Sequence, residues 1–291
     1  MNYIILAFSV FVLTLQATYS NIFSKKTLKN KADIFLFNII SGFASCVTLL
    51  LMSGKLTAPS IFTILLAILF GLITLLMQLA YMKALSCGAM SYSVLFLSCG
   101  MIIPTIIGSI IWKEPVDIFQ ILGVILLILV FYFSANPKKD EKITATWLIY
   151  AIASFLFSGI IGLLQKVHQT SIHVIEINEF LIIAFITVMI LSGVMYFWQT
   201  SHNLVLRSFR LRSSASVNAM IVGVCVGIVN KLNLYLSGQM PSIIFFPLVN
   251  GGLIILSAIV SILFFKEKMR KIQYISILVG VIAIALISKI L

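Results

Sequence analysis

Apolar residues run through this chain in blocks of roughly 18–25, the length an α-helix needs to cross about 30 Å of hydrocarbon. Short polar interruptions separate the blocks. Reading blocks against interruptions predicts ten helical spans, near residues 3–20, 34–53, 61–82, 90–112, 117–135, 146–165, 178–198, 215–236, 241–265 and 272–290. The first block is apolar from its start, with no basic leading segment and no clear small-residue cleavage site, so it is read as a span and not as a removed signal. Trp112, Trp147 and Trp198 fall at span ends. An amphipathic indole favours the headgroup region, so these positions support the register.

A linker, NPKKDEKITA at 136–145, lies near the midpoint and invites a search for an internal repeat. IIWKEPVDIFQILG at the end of span four matches LFFKEKMRKIQYIS at the end of span nine. Superposing Glu114 on Glu267 also superposes Lys113 on Lys266 and Gln120 on Gln273, an offset of 153 residues. Upstream, ALSCGAMSYSVLF resembles YLSGQMPSIIFFP. The expected fold is therefore an all-α integral membrane protein of ten transmembrane helices, arranged as two five-helix repeats, 1–135 and 146–291. Five spans per half force the second half to enter the membrane from the opposite side, which makes the repeat inverted.

Charge agrees with that reading. Connectors after odd-numbered spans carry 15 Lys or Arg residues, against five on the other side: Lys55, Lys113, Lys166, Lys231 and Lys289. By the positive-inside rule both termini face outward.

The composition, 61% hydrophobic and 10% charged with mean hydropathy +1.17, excludes an ordinary soluble domain, in which about 25% of residues are charged. The net charge of +12 does not indicate nucleic acid, because the basic residues lie in connectors and form no basic face. Cys46, Cys87, Cys99 and Cys225 are isolated in or beside apolar runs and read as small packing residues. His168, His173, Glu176 and Glu179 crowd one connector and read as a solvated loop, not a metal cluster. No cofactor is expected.

Candidate chemistry comes from the polar groups retained inside spans. Spans four and nine hold helix-breaking residues in overlapping positions of the repeat: Ser98, Gly100 and Pro104 in one, Pro247, Asn250, Gly251 and Gly252 in the other. In inverted-repeat transporters such interruptions free backbone groups for a solute near the midplane. The alternative is close helix packing at the glycines. Spans three and eight add Gln78, Tyr81, Asn230, Lys231 and Asn233. Together these residues define a predicted cavity lining. Lys231 either snorkels to the interface or attracts an anionic or zwitterionic group.

The acids (Asp33, Glu114, Asp117, Asp140, Glu141, Glu176, Glu179 and Glu267) all map to connectors or span ends. A proton-coupled exporter of cations would bury one at mid-membrane. Glu114 and Glu267 are expected to orient their connectors and to pair with neighbouring lysines. Nothing forms a catalytic constellation: Ser91, Ser93 and Ser98 lack a His partner, so an enzyme is not expected. An integral membrane enzyme or a helical scaffold is the alternative to transport.

The five-plus-five arrangement, the Lys-Glu pair closing the fourth span of each half and the FFPLVNGG segment from Phe245 resemble the EamA-type branch of the drug/metabolite transporter superfamily. The resemblance covers nearly the whole chain. It implies ten helices around a central cavity, alternating access, and export or exchange of a small polar metabolite across the cell membrane, with the solute and the bilayer as partners. It also implies cytoplasmic termini, in conflict with the charge count.

Overall fold

The computed structural model describes residues 1–27, 31–54, 56–87, 90–134, 144–201, 213–265 and 271–288. Among these the chain is helical throughout, without strands: α1 (Asn2–Thr27), α2 (Lys31–Met52), α3 (Ile61–Cys87), α4 (Met90–Cys99), α5 (Ile102–Ile111), α6 (Ile118–Ser134), α7 (Ala145–Gln169), α8 (Ile177–Ser201), α9 (Ser213–Gln239), α10 (Ser242–Phe265) and α11 (Lys271–Ser288). Six of these helices, α1, α2, α3, α7, α8 and α9, are long and apolar enough to cross a membrane. Most of the linker, the Lys266/Glu267 twin and the arginines of 207–212 lie outside the described residues.

The helices match the ten predicted spans one for one except at span four, which is divided. Pro104 lacks the N–H that would reach the Gly100 carbonyl, and Ile103 N–H takes that carbonyl at 3.1 Å. The preceding bonds, Gly100 to Leu97 and Met101 to Ser98, are equally short-ranged, so the helix tightens and restarts as α5. Span nine departs from expectation. α10 runs unbroken through Pro247, Asn250, Gly251 and Gly252. Pro247 lies in its second turn and deprives a single carbonyl of a donor, while the two glycines serve packing: a Cβ at Gly251 would lie 2.9 Å from Leu127, and one at Gly252 3.0 Å from Val10.

The chain forms two compact units, each drawing helices from both sequence halves. The first comprises Met1–Val10, Leu76–Thr170 and Leu236–Leu291. Within it α6 packs along α11, α5 against α10, and α4 and α5 against α7. Small residues allow the approach: a Cβ at Gly123 would lie 2.9 Å from the Ala283 carbonyl, and one at Gly159 2.9 Å from the Gly100 carbonyl. Trp147 is buried at 2% exposure with Ala84 and Ala151, its indole N–H donating to Ser93 Oγ at 2.9 Å. The headgroup-anchor reading of Trp147 is thus corrected, because its polar atom finds a partner inside the protein. Trp198 is exposed.

The second unit comprises Phe11–Leu75 and Ser171–Tyr235. Its spine is α2 packed along α8, with Leu49, Phe180, Leu181 and Ala184 buried and Phe70 edge-on to Phe180 at 5.3 Å. α9 joins at Gly223, whose carbonyl accepts from Ser45 Oγ at 2.8 Å. Cys225 packs with Val12 and Val229, as a small apolar residue would.

Outward faces are apolar. Ile4, Phe8, Phe11 and Leu15 on α1, and Ile186, Ile190, Val194 and Phe197 on α8, are all exposed at helical spacing.

Candidate functional site

In the first unit the most concentrated buried polar chemistry gathers at the ends of α5, α7 and α10. α5 closes in a Schellman turn: Glu114 N–H bonds the Ser109 carbonyl at 3.0 Å, and Lys113 N–H bonds that of Ile110 at 3.4 Å. The turn requires a left-handed residue, and Lys113 supplies it with φ 50°, where glycine is usual. Pro115 then stops the helix. Asp117 opens α6 with a capping box, its carboxylate accepting from Phe119 N–H and its own N–H donating to Gln120 Oε1, both at 3.0 Å. Gln120, one of the repeated residues, is therefore a capping residue.

The turn delivers Glu114 to two partners. Its Oε1 lies 2.7 Å from Lys166 Nζ, and its Oε2 accepts from Ser242 N–H, the first residue of α10, at 2.5 Å. Lys166 also donates to the Met240 carbonyl at 3.1 Å. Its side chain is 5% exposed, so the pair is withdrawn from solvent. Gly108 makes room for it: a Cβ there would lie 2.6 Å from Ser242 Cβ. Gln165, His168 and Gln169, buried beside Lys166 in sequence, extend the polar character of this helix end. Two expectations are corrected here. Lys166 belongs to α7 and is not a free connector charge, and Glu114 pairs with Lys166, not with Lys113, whose position in the reversing turn leaves that contact unmade.

In the second unit Glu176 of the α7–α8 connector and Glu179 in the first turn of α8 hold the α2–α3 connector. Glu176 Oε2 accepts from the Ser60 N–H and hydroxyl, both at 2.9 Å, and its Oε1 lies 3.0 Å from His173 Nδ1. Burial alone would raise the Glu176 carboxyl. Hydrogen bonds from Thr63, from Ser60 twice and from His173 overcome it and hold the group at about 2, against an ordinary 4.5. Glu179 Oε1 accepts from Thr57 N–H at 2.6 Å and its hydroxyl at 3.1 Å. These side chains are buried partners in a loop clamp, not a solvated loop. Among the described residues no three His, Cys, Asp or Glu converge as for a metal.

The predicted lining residues divide between the units. Gln78, Tyr81, Ser98 and Asn250 are in the first, and Asn230, Lys231 and Asn233 in the second. Asn250 donates to the Phe246 carbonyl at 3.0 Å and Asn230 to that of Val226 at 2.9 Å, each one turn back on its own helix. Lys231 donates to the Met52 carbonyl at 2.7 Å. Ser98 is buried. Gln78 Oε1 is buried with no hydrogen-bond partner, and Tyr81 follows it three residues on along the same face of α3. The sequence missed the Glu114–Lys166 pair, although a lysine ending the apolar run GIIGLLQK was its signal.

No family model matches the sequence, and no curated protein matches it either. Among solved structures 28 chains match. One, described only as "Crystal structure of protein", aligns with 100% of this chain and 99% of its own at a TM-score of 0.72 and 12% identity. At that identity the likeness shows a shared helical fold over the whole chain.

Proposed function

We infer that the protein is an integral membrane transporter, built as two inverted five-helix repeats, that moves a small polar metabolite by alternating access. The observation that carries this reading is the pairing of helices from equivalent places in the two halves. α2 packs on α8, α5 on α10 and α6 on α11, which are the second, fourth and fifth spans of each half. A pseudo-two-fold axis in the membrane plane brings equivalent helices together in this way, and such repeats recur among secondary transporters. The apolar outward faces of α1 and α8 and the six long apolar helices support a bilayer setting.

Within the first unit the solute-contacting role is assigned to the polar residues Gln78, Tyr81, Ser98 and Asn250. Gln78 has the strongest claim, because a buried acceptor without a protein partner costs about 1–3 kcal/mol unless water or solute supplies a donor. Neutral, zwitterionic or anionic metabolites of amino-acid type suit this lining, which has no acid. Orientation follows charge. Setting aside the lysines within helices, Lys166 and Lys231 on the poor side and Lys25, Lys26, Lys31, Lys83 and Lys271 on the rich one, leaves three against ten, so the rich connectors face the cytoplasm.

The test is flux. Proteoliposomes holding only this protein, loaded with a labelled metabolite extract, should release particular small polar solutes faster than protein-free vesicles. Release equal to that of empty vesicles for every solute would overturn the reading. A single cysteine placed in residues 136–145 should label from the cytoplasmic side, and labelling only from outside would reverse the orientation.

A further inference from the structure

We propose that Glu114 and Lys166 form a latch that holds this end of the first unit closed, and that the transport cycle releases it. The proposal rests on the transporter reading and adds a moving part to it. One carboxylate ties three segments: the α5–α6 turn that carries it, the end of α7 through Lys166, and the start of α10 through Ser242 N–H. Lys166 fastens the same end again through the Met240 carbonyl. The partners come from opposite halves of the repeat, Glu114 from the first and Lys166, Met240 and Ser242 from the second. Any displacement of one half against the other must therefore stretch these bonds.

The chemistry suits a latch better than a passive brace. A buried ion pair adds little net stability over an apolar substitute, because desolvation offsets attraction, yet it is strongly favourable once both partners are already withdrawn from water. Such a contact is all-or-none: it holds firmly when made, and each charge regains water when it parts. Gly108 and the Lys113 turn fix the closed geometry, the first by letting Ser242 against α5 and the second by aiming Glu114. Bonds to backbone at Met240 and Ser242 leave the latch independent of any side chain there.

The experiment reads accessibility, so that its failure is separable from failure of the flux assay. In a protein with its four cysteines replaced, Met240→Cys puts a buried thiol at the latch while leaving the Met240 carbonyl in place. Ala184→Cys, buried in the second unit, is the control. A membrane-impermeant maleimide is applied to proteoliposomes. Lys166→Met and, separately, Glu114→Gln, which keeps an acceptor for Ser242 N–H, should each label position 240 at least about tenfold faster, with position 184 unchanged. An unchanged rate at 240 in both variants overturns the latch. A rise at both positions shows general loosening and overturns it too. Failure of both variants to insert makes the pair a folding element, again overturning the proposal. Native flux with no change in labelling would leave the transporter reading standing without the latch.

Discussion

Lys231, on α9, donates its ammonium to the carbonyl of Met52, the last residue of α2, at 2.7 Å. The last carbonyls of a helix lack intrahelical donors and carry the negative end of its dipole, so a cation there satisfies both needs. This contact competes with the solute-attracting role assigned from sequence. Lys231→Met should lower the unfolding midpoint in detergent, at a cost of about 0.5–1 kcal/mol, and Lys231→Arg should largely restore it. A variant with native stability and a weakened solute affinity would return Lys231 to the solute.

Acid sensitivity of the second unit should be set by Glu176. Its folded carboxyl lies at about 2 and its ordinary value is 4.5, so the proton binds the unfolded form more readily. The contribution is therefore complete above about 4.5 and disappears as pH falls through about 2. Hydrogen exchange at the Ser60 amide should stay slow between neutral pH and that window. Glu176→Gln should speed exchange at neutral pH and remove the acid dependence.

The left-handed Lys113 should be improvable. A side chain at positive φ costs about 1–2 kcal/mol, of which glycine avoids most while paying some extra chain entropy. Lys113→Gly should raise stability by about 0.5–1 kcal/mol, and Lys113→Val should lower it, as followed by thermal unfolding in detergent.

Two glycines offer a matched contrast. A Cβ at Gly223 would run into the Ser41 carbonyl, a backbone atom that cannot swing away, whereas one at Gly193 would meet nothing within 4 Å beyond its own stretch of helix. Gly223→Ala should destabilise by about 1–3 kcal/mol. Gly193→Ala should be neutral or stabilising, since alanine is the better helix former by up to about 1 kcal/mol.

The helices were legible because each demands a long apolar run, and such a run has few other uses. The division at Gly100 was legible for a local reason: glycine and proline act through their own backbone. Pro247 carries the same local signal, yet α10 passes through it, because a proline near a helix start costs only one bond. Side-chain partners were not legible. In the sequence the adjacent lysine is the obvious match for Glu114, but neighbours in a reversing turn point apart, and its partner lies 52 positions away on another helix. The span-end position of Trp147 points to a headgroup, and only packing against α4 reveals that Ser93 takes its N–H. The amides of Asn230 and Asn250 looked costly in an apolar helix, but the carbonyl one turn back relieves their donors.

The burial of Trp147 has an optical consequence. Its indole is dry, bonded to Ser93 and edge-on to Phe96 at 5.6 Å, while Trp198 is 71% exposed. Replacing Trp112 and Trp198 by phenylalanine would leave a single emitter at the seam between α4 and α7, with a spectrum shifted to the blue. Parting of that seam would wet the ring and shift its emission to the red, so the doubly substituted chain carries a built-in fluorophore for following helix separation in real time.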